Sequence, residues 1–176
     1  MTIRSRPLPG AYHIRAEQPG DSAAIDTVIR DAFGQDEEMN LVRALRQGGY
    51  NLLSLVALQD TGIVGHLLFT RLLIQGPDQT WNAVSLAPLA VSPALQRTGI
   101  GSALMNEGLQ QLKDRGEAIV VVLGHVHYYP RFGFSADLAM PLLAPFSGPH
   151  WMALELIPGA LENVRGKVTY APPFGV

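Results

Sequence analysis

The chain has 176 residues, with 13 basic and 15 acidic side chains for a formal net charge of −2, and no cysteine. That length suits one domain burying about 70% of the surface its unfolded form exposes. The missing cysteines exclude disulfides, thiolate metal sites and a cysteine nucleophile, and a near-neutral balance without a Lys/Arg block argues against nucleic acid as a principal partner.

Residues 1 to 12, with Pro7, Pro9 and Gly10, read as a mobile lead-in to one domain over 13–176. They lack the apolar core of a secretory signal. The longest strongly apolar run, Ile119 to Leu123, falls far short of the ~20 residues that span a bilayer, so no membrane partner and a cytoplasmic location are expected.

His13 to Gln18 reads as a short strand. Asp21 or Ser22 then caps a helix with Ile25, Val28, Ile29 and Ala32 at helical spacing. A second helix is predicted from Glu37 to Gln47, opened by the acids Asp36 to Glu38 and closed by Gly48-Gly49. The runs "LLSLVALQ", "TGIVGHLLFTRLLI" and "WNAVSLAPLAVS" predict three strands of an antiparallel meander, turning at Asp60 to Gly62 and Gly76 to Gln79. Pro88 cannot serve a regular ladder, so a bulge or splayed edge is expected there.

At Ser92-Pro93 the extended run stops, passes through "QRTGIG" (Gln96 to Gly101) and becomes a helix whose Ile100, Leu104, Met105, Leu109 and Leu112 share a face. Gly116 is its expected cap, and "AIVVVL" follows as a strand buried on both faces, completing a β-α-β crossover. A short helical turn at "VHYYPRFG" and strands around "WMALELI" and "KVTYAP" complete a mixed α/β sheet.

A loop feeding a helix N-terminus offers unpaired N–H groups and the positive end of the helix dipole. Gly99 and Gly101 permit close approach and Arg97 adds a fixed charge, which suits a phosphate or pyrophosphate. An ordinary strand-to-helix turn would look the same if the hexapeptide stood alone. The triphosphate loop G-x-x-x-x-G-K-[ST] is absent, and the dinucleotide fingerprint fails at Leu104. The five histidines show no metal-ligand spacing, so no metal is expected.

Two motifs resemble the GNAT superfamily of acyl-CoA-dependent N-acetyltransferases. Gln96, Gly99 and Gly101 match its Q/R-x-x-G-x-G/A signature, and "YYPRFGF" (Tyr128 to Phe134) matches its aromatic-Tyr-x-x-x-Gly-Phe segment. "PLAVSP" and "VLGHVHYYPRFGF" look like a bacterial subgroup of predicted N-acetyltransferases. The resemblance covers about residues 13 to 135. It implies a mostly antiparallel central sheet splayed after its fourth strand, with helices on both faces.

It further implies acetyl-CoA as cosubstrate. Gln96, Arg97, Thr98, Gly99, Ile100, Gly101 and Ser102 would hold the pyrophosphate. The backbone of Leu89, Ala90 and Val91 would pair with the pantetheine arm, and the N–H near Ala90 or Val91 would polarise the thioester carbonyl. Tyr129 aligns with the tyrosine that protonates the departing thiolate in many relatives. Tyr128 reads as structural, and His125 and His127 flank the same turn.

Many relatives carry a carboxylate on the fourth strand as base; this strand has no acid. Glu37, Glu38 and His66 are then the candidates, each with an ordinary structural explanation open beside the catalytic one. The implied reaction is acetyl transfer to a primary amine, its acceptor site lined by Phe33 to Asn40 and about Ala136 to His150. A non-catalytic acyl-CoA sensor and a tRNA-acetylating toxin stand as alternatives, the second disfavoured by the charge balance. A homodimer through the C-terminal strands is a further expectation.

Overall fold

The computed structural model describes residues 10–60 and 62–176. Most of the expected lead-in lies outside them, as does Thr61 of the expected Asp60 to Gly62 turn. No helix of the described residues is long and apolar enough to cross a membrane.

The chain runs β1 (Tyr12–Ala16), α1 (Ser22–Phe33), α2 (Glu37–Gln47), β2 (Asn51–Gln59), β3 (Gly62–Gln75) and β4 (Thr80–Val91), then α3 (Ile100–Asp114) and β5 (Ile119–Leu123). It ends through α4 (Ala136–Ala139), β6 (Leu142–Leu143), β7 (Trp151–Glu155) and β8 (Gly166–Thr169). The sheet order is β1-β2-β3-β4-β5-β7, with β8 pairing β3 and β6. β2 to β4 form the expected antiparallel meander, β1 adds antiparallel to β2 at its edge, and β5 joins β4 in parallel.

Strand alternation sends side chains to opposite faces, and the two faces bury different helices. Leu53, Leu55, Leu67 and Phe69 pack with Ile100, Leu104, Met105 and Leu112 of α3. Val56, Leu68 and Ala90 pack instead with Ile25, Ile29, Met39, Val42 and Leu45 of α1 and α2. A third cluster, with Leu72, Ile74, Val121, Trp151 and Val168, anchors the C-terminal strands. Leu104 is fully buried, so truncating it to alanine would cost about 2–5 kcal/mol.

One local expectation fails. Asp21 precedes α1 but makes no side-chain cap; its carboxylate instead accepts from Arg15 Nη1 at 2.7 Å and from the Gln18 N–H at 2.7 Å. A guanidinium on the neighbouring strand outcompetes the helix N–H groups for it.

Pro88 interrupts the ladder as expected. Leu67 opposes Leu89 and Phe69 opposes Leu86, so two residues of β4, Ala87 and Pro88, face the single Leu68; the Ala87–Pro88 peptide is cis. On its other side β4 pairs with β5 only at Val84 and Ser85. The two parallel strands therefore separate beyond the bulge, and the end of β4 from Leu89 to Val91 borders a gap.

Candidate active site

The gap is a cleft of about 810 Å³. One wall is Leu89 and Val91 of β4; the floor is Gln96, Arg97, Gly99, Gly101 and Ser102; the far wall is His125, His127, Tyr128, Tyr129 and Arg131 from the turn after β5. The two motifs, separate in sequence, thus face each other.

The direction of the β4 backbone follows from one bond. Ser92 N–H donates to Val64 O at 2.9 Å, so it points toward β3. Antiparallel ladders alternate, and Ala90 opposite His66 points the same way, leaving the N–H and C=O of Leu89 and Val91 toward the cleft. Gln96 Nε2 donates to Val91 O at 3.1 Å, which ties the loop to the strand end.

The loop conformation is unusual at two adjoining places. Arg97 has φ 61°, a left-handed conformation rare for a residue with a β-carbon, and Gly99 has φ 97°, which favours glycine. Gly99 is also the N-cap of α3, and among the described residues no side chain caps this helix. The first bond reaching back is from the Ala103 N–H to Gly99 O at 2.9 Å, so the N–H groups of Ile100, Gly101 and Ser102 project from the helix end. Thr98 Oγ1 turns inward to Leu95 O and braces the turn.

Opposite this helix end, Arg131 reaches over from the second motif. Its guanidinium stacks 4.5 Å from the Tyr128 ring centroid, and Nη2 donates to Ser102 Oγ at 3.4 Å. Arg97 lines the same cleft, so two fixed positive charges border it. The Tyr128 hydroxyl is buried beside Ser102 and Arg131 and makes no well-formed hydrogen bond among the described residues, so the residue read as structural places a polar atom at the cleft wall. The arrangement fits an anionic ligand with several acceptor oxygens.

Tyr129 is 8% exposed, its ring edge-on to Tyr128 at 5.1 Å and to Phe134 at 5.7 Å. A β-carbon on Gly124 would stand 2.2 Å from the Tyr129 ring, so glycine there admits the ring. Burial, with Tyr128 beside it, raises the Tyr129 pKa, and the phenol stays protonated at neutral pH.

None of the three candidate bases lines this cleft. Glu37 and Glu38 open α2, where Glu38 accepts from Gln35 at 3.1 Å. His66 is fully buried on the opposite face of the sheet. The loop after α4 encloses a separate hollow of about 390 Å³ bounded by Ala136, Met140, Phe146 and Trp151. Sequence reasoning assigned no role to Arg131, although it lies inside the quoted "YYPRFGF" segment.

A family model described as an acetyltransferase (GNAT) domain matches residues 13–136. The uncharacterized N-acetyltransferase YhbS of Escherichia coli K12 is 37% identical over 164 residues, covering 92% of this chain and 97% of that protein. The uncharacterized N-acetyltransferase YjhQ of the same strain is 38% identical over 170 residues, covering 92% of each. Among solved structures, E. coli YhbS in complex with CoA superposes with a TM-score of 0.88 at 34% identity, covering 98% of this chain and 96% of that one. A GNAT family acetyltransferase from Brucella melitensis in complex with acetyl-CoA gives 0.77 at 35% identity, covering 93% and 98%.

Proposed function

The chain belongs to the GNAT family of acetyltransferases, and from that premise we propose that residues 13–176 form one N-acetyltransferase domain that moves the acetyl group of acetyl-CoA to a primary amine by direct attack. The observation that carries this reading is the uncapped N-terminus of α3 lying across one cleft from Tyr129. The CoA and acetyl-CoA complexes of the two structural relatives support the choice of ligand.

The pyrophosphate is held by the N–H groups from Arg97 to Ser102, with Gln96 fixing the loop and Arg97 and Arg131 supplying charge. The pantetheine arm lies along β4 like an added strand, bonded by the outward-facing backbone of Leu89 and Val91, while Ala90 between them keeps its ladder bonds to β3. The Val91 N–H then suits the thioester oxygen as negative charge develops on it.

The amine nitrogen forms its bond to the acetyl carbon as the carbon–sulfur bond breaks. Tyr129 gives its phenolic proton to the leaving sulfur, a modest task for a thiol with a pKa of about 8.5. A small cationic amine or a peptide N-terminus is the acceptor class we favour, in the cytoplasm, with no metal.

Thiol release from acetyl-CoA in the presence of a panel of amines tests the reading. Turnover on any amine supports it; tight acetyl-CoA binding without turnover would favour a sensor instead.

A further inference from the structure

On the far side of β4 from the cleft lies a buried polar chain that the reaction above does not use. His66 sits on β3 directly opposite Ala90, with both side chains on the face covered by α1 and α2. Its Nε2 is 2.9 Å from Ser54 Oγ on β2, and Ser54 Oγ donates to Glu17 Oε2. Glu17 Oε1 accepts from Arg46 Nε of α2 at 2.7 Å. Burial would raise the Glu17 pKa, but His66, Ser54 and Arg46 oppose it and hold the carboxyl down to about 2, so Glu17 is ionised.

Hydrogen-bond accounting assigns the tautomer. The Ser54 hydroxyl has one proton and gives it to the carboxylate, so toward His66 it can only accept. His66 must therefore carry its proton on Nε2. That leaves Nδ1 as a bare lone pair, and this atom is buried with no hydrogen-bond partner among the described residues. A buried acceptor left unpaired forfeits its hydration without replacement, which calls for a functional explanation. The neighbouring β4 position, Ala90, has one of the smallest side chains and leaves this imidazole as the basic group beside the strand. The far end of the chain reaches a third cavity of about 400 Å³ bounded by Glu17, Ser54 and Arg46.

We propose that His66 relays the proton released by the attacking amine, taking it at Nδ1 by way of water and passing its Nε2 proton through Ser54 to Glu17 and the outer cavity. This rests on the acetyltransferase reading. The balance is closed: an alkylammonium enters with one proton more than the attacking amine, His66 gains it at Nδ1 and loses one at Nε2, Ser54 exchanges one for another, and Glu17 returns it to solvent. Tyr129 gives its own proton to sulfur and regains one from the nitrogen, which sheds a second proton as it becomes the amide. The other charged groups facing His66 are Arg46 of α2, which disfavours its protonation, and Asp26 of α1, which favours it and is itself paired to Arg43 at 2.8 Å. His66 acts through water and is a positioning and relay residue.

The test uses full-length wild type, His66→Gln, which keeps a donor toward Ser54 without a titratable nitrogen, and Glu17→Gln, which leaves His66 in place should the first variant misfold. Nitrogen-15 NMR of the wild-type histidines at pH 7 is expected to show His66 protonated at Nε2 alone; protonation at Nδ1 overturns the proposal. With saturating acetyl-CoA and a primary alkylamine substrate, kcat/KM of His66→Gln at pH 7 is expected to fall about 100-fold and that of Glu17→Gln about tenfold. Both deficits should shrink toward pH 9.5, as more of an amine with a pKa of about 10.4 becomes neutral unaided. A deficit constant with pH, or none, overturns the relay while leaving the acetyltransferase intact. A wild type that acetylates no amine overturns the acetyltransferase reading itself, and the relay with it.

Discussion

The hydroxyl of Tyr128 lies 3.0 Å from the point where a β-carbon on Gly101 would stand. One motif thus closes over the other at the N-terminal turn of α3, and the glycine keeps open a space that a single methyl group would contest. Alanine favours helices over glycine by about 1 kcal/mol, which offsets the cost of shifting the Tyr128 hydroxyl, so Gly101→Ala is expected to leave Tm close to that of the wild type. Calorimetric titration should nevertheless show CoA affinity reduced on the order of tenfold, equal to about 1.4 kcal/mol.

Arg131 reaches Ser102 at the helix end from the far wall, and Arg97 lines the floor of the same cleft. Arg131→Ala and Arg97→Ala should each weaken CoA binding by about 1.5–3 kcal/mol, the range for charge-assisted hydrogen bonds. Their effect should be smaller on a dephosphorylated pantetheine fragment, which a parallel titration would measure.

Tyr129→Phe keeps the ring that packs on Gly124 and Phe134 but removes the proton donor. The expected outcome is kcat lowered about 100-fold with CoA affinity within twofold of wild type. Steady-state rates and a binding titration on the same preparation separate the two. A variant with full kcat would remove Tyr129 from the proton transfer.

Acid sensitivity should appear in two windows. Burial lowers the His66 pKa below its ordinary 6.5, so above that value both folded and unfolded chains are neutral there. Below it the unfolded chain takes up a proton that the folded protein refuses. Stability therefore falls as pH drops from about 6.5, at up to about 1.4 kcal/mol per pH unit for one group. Glu17 is depressed from 4.5 to about 2, so its contribution is present above 4.5 and is lost as pH falls toward 2. Tm measured between pH 7 and 5 should decline more steeply in wild type than in His66→Gln.

Much of this was legible in the sequence because the signals were local. First-turn acids and Gly48-Gly49 bracket α2 at Glu37–Gln47, and Pro88 marks the irregularity that opens β4. The phosphate loop was readable because glycines, an arginine and the onset of a 3.6-residue period coincide within one hexapeptide. Other features depend on partners far along the chain. Asp21 carries a capping residue's signature, yet Arg15 claims it. The four-residue α4 and two-residue β6 are too short to display a period. Nothing in the sequence links His66 with Ser54 and Glu17; the β2–β3 pairing and the exit from β1 bring them together.

Titrating CoA calorimetrically into wild type and Gly101→Glu, with Tm checked for both, tests the central claim most directly. The glutamate would set bulk and like charge against the pyrophosphate at the helix end. The account predicts saturable binding to wild type and a loss of at least 100-fold in a folded variant. Equal affinity in the two proteins, or no binding to wild type, would contradict it.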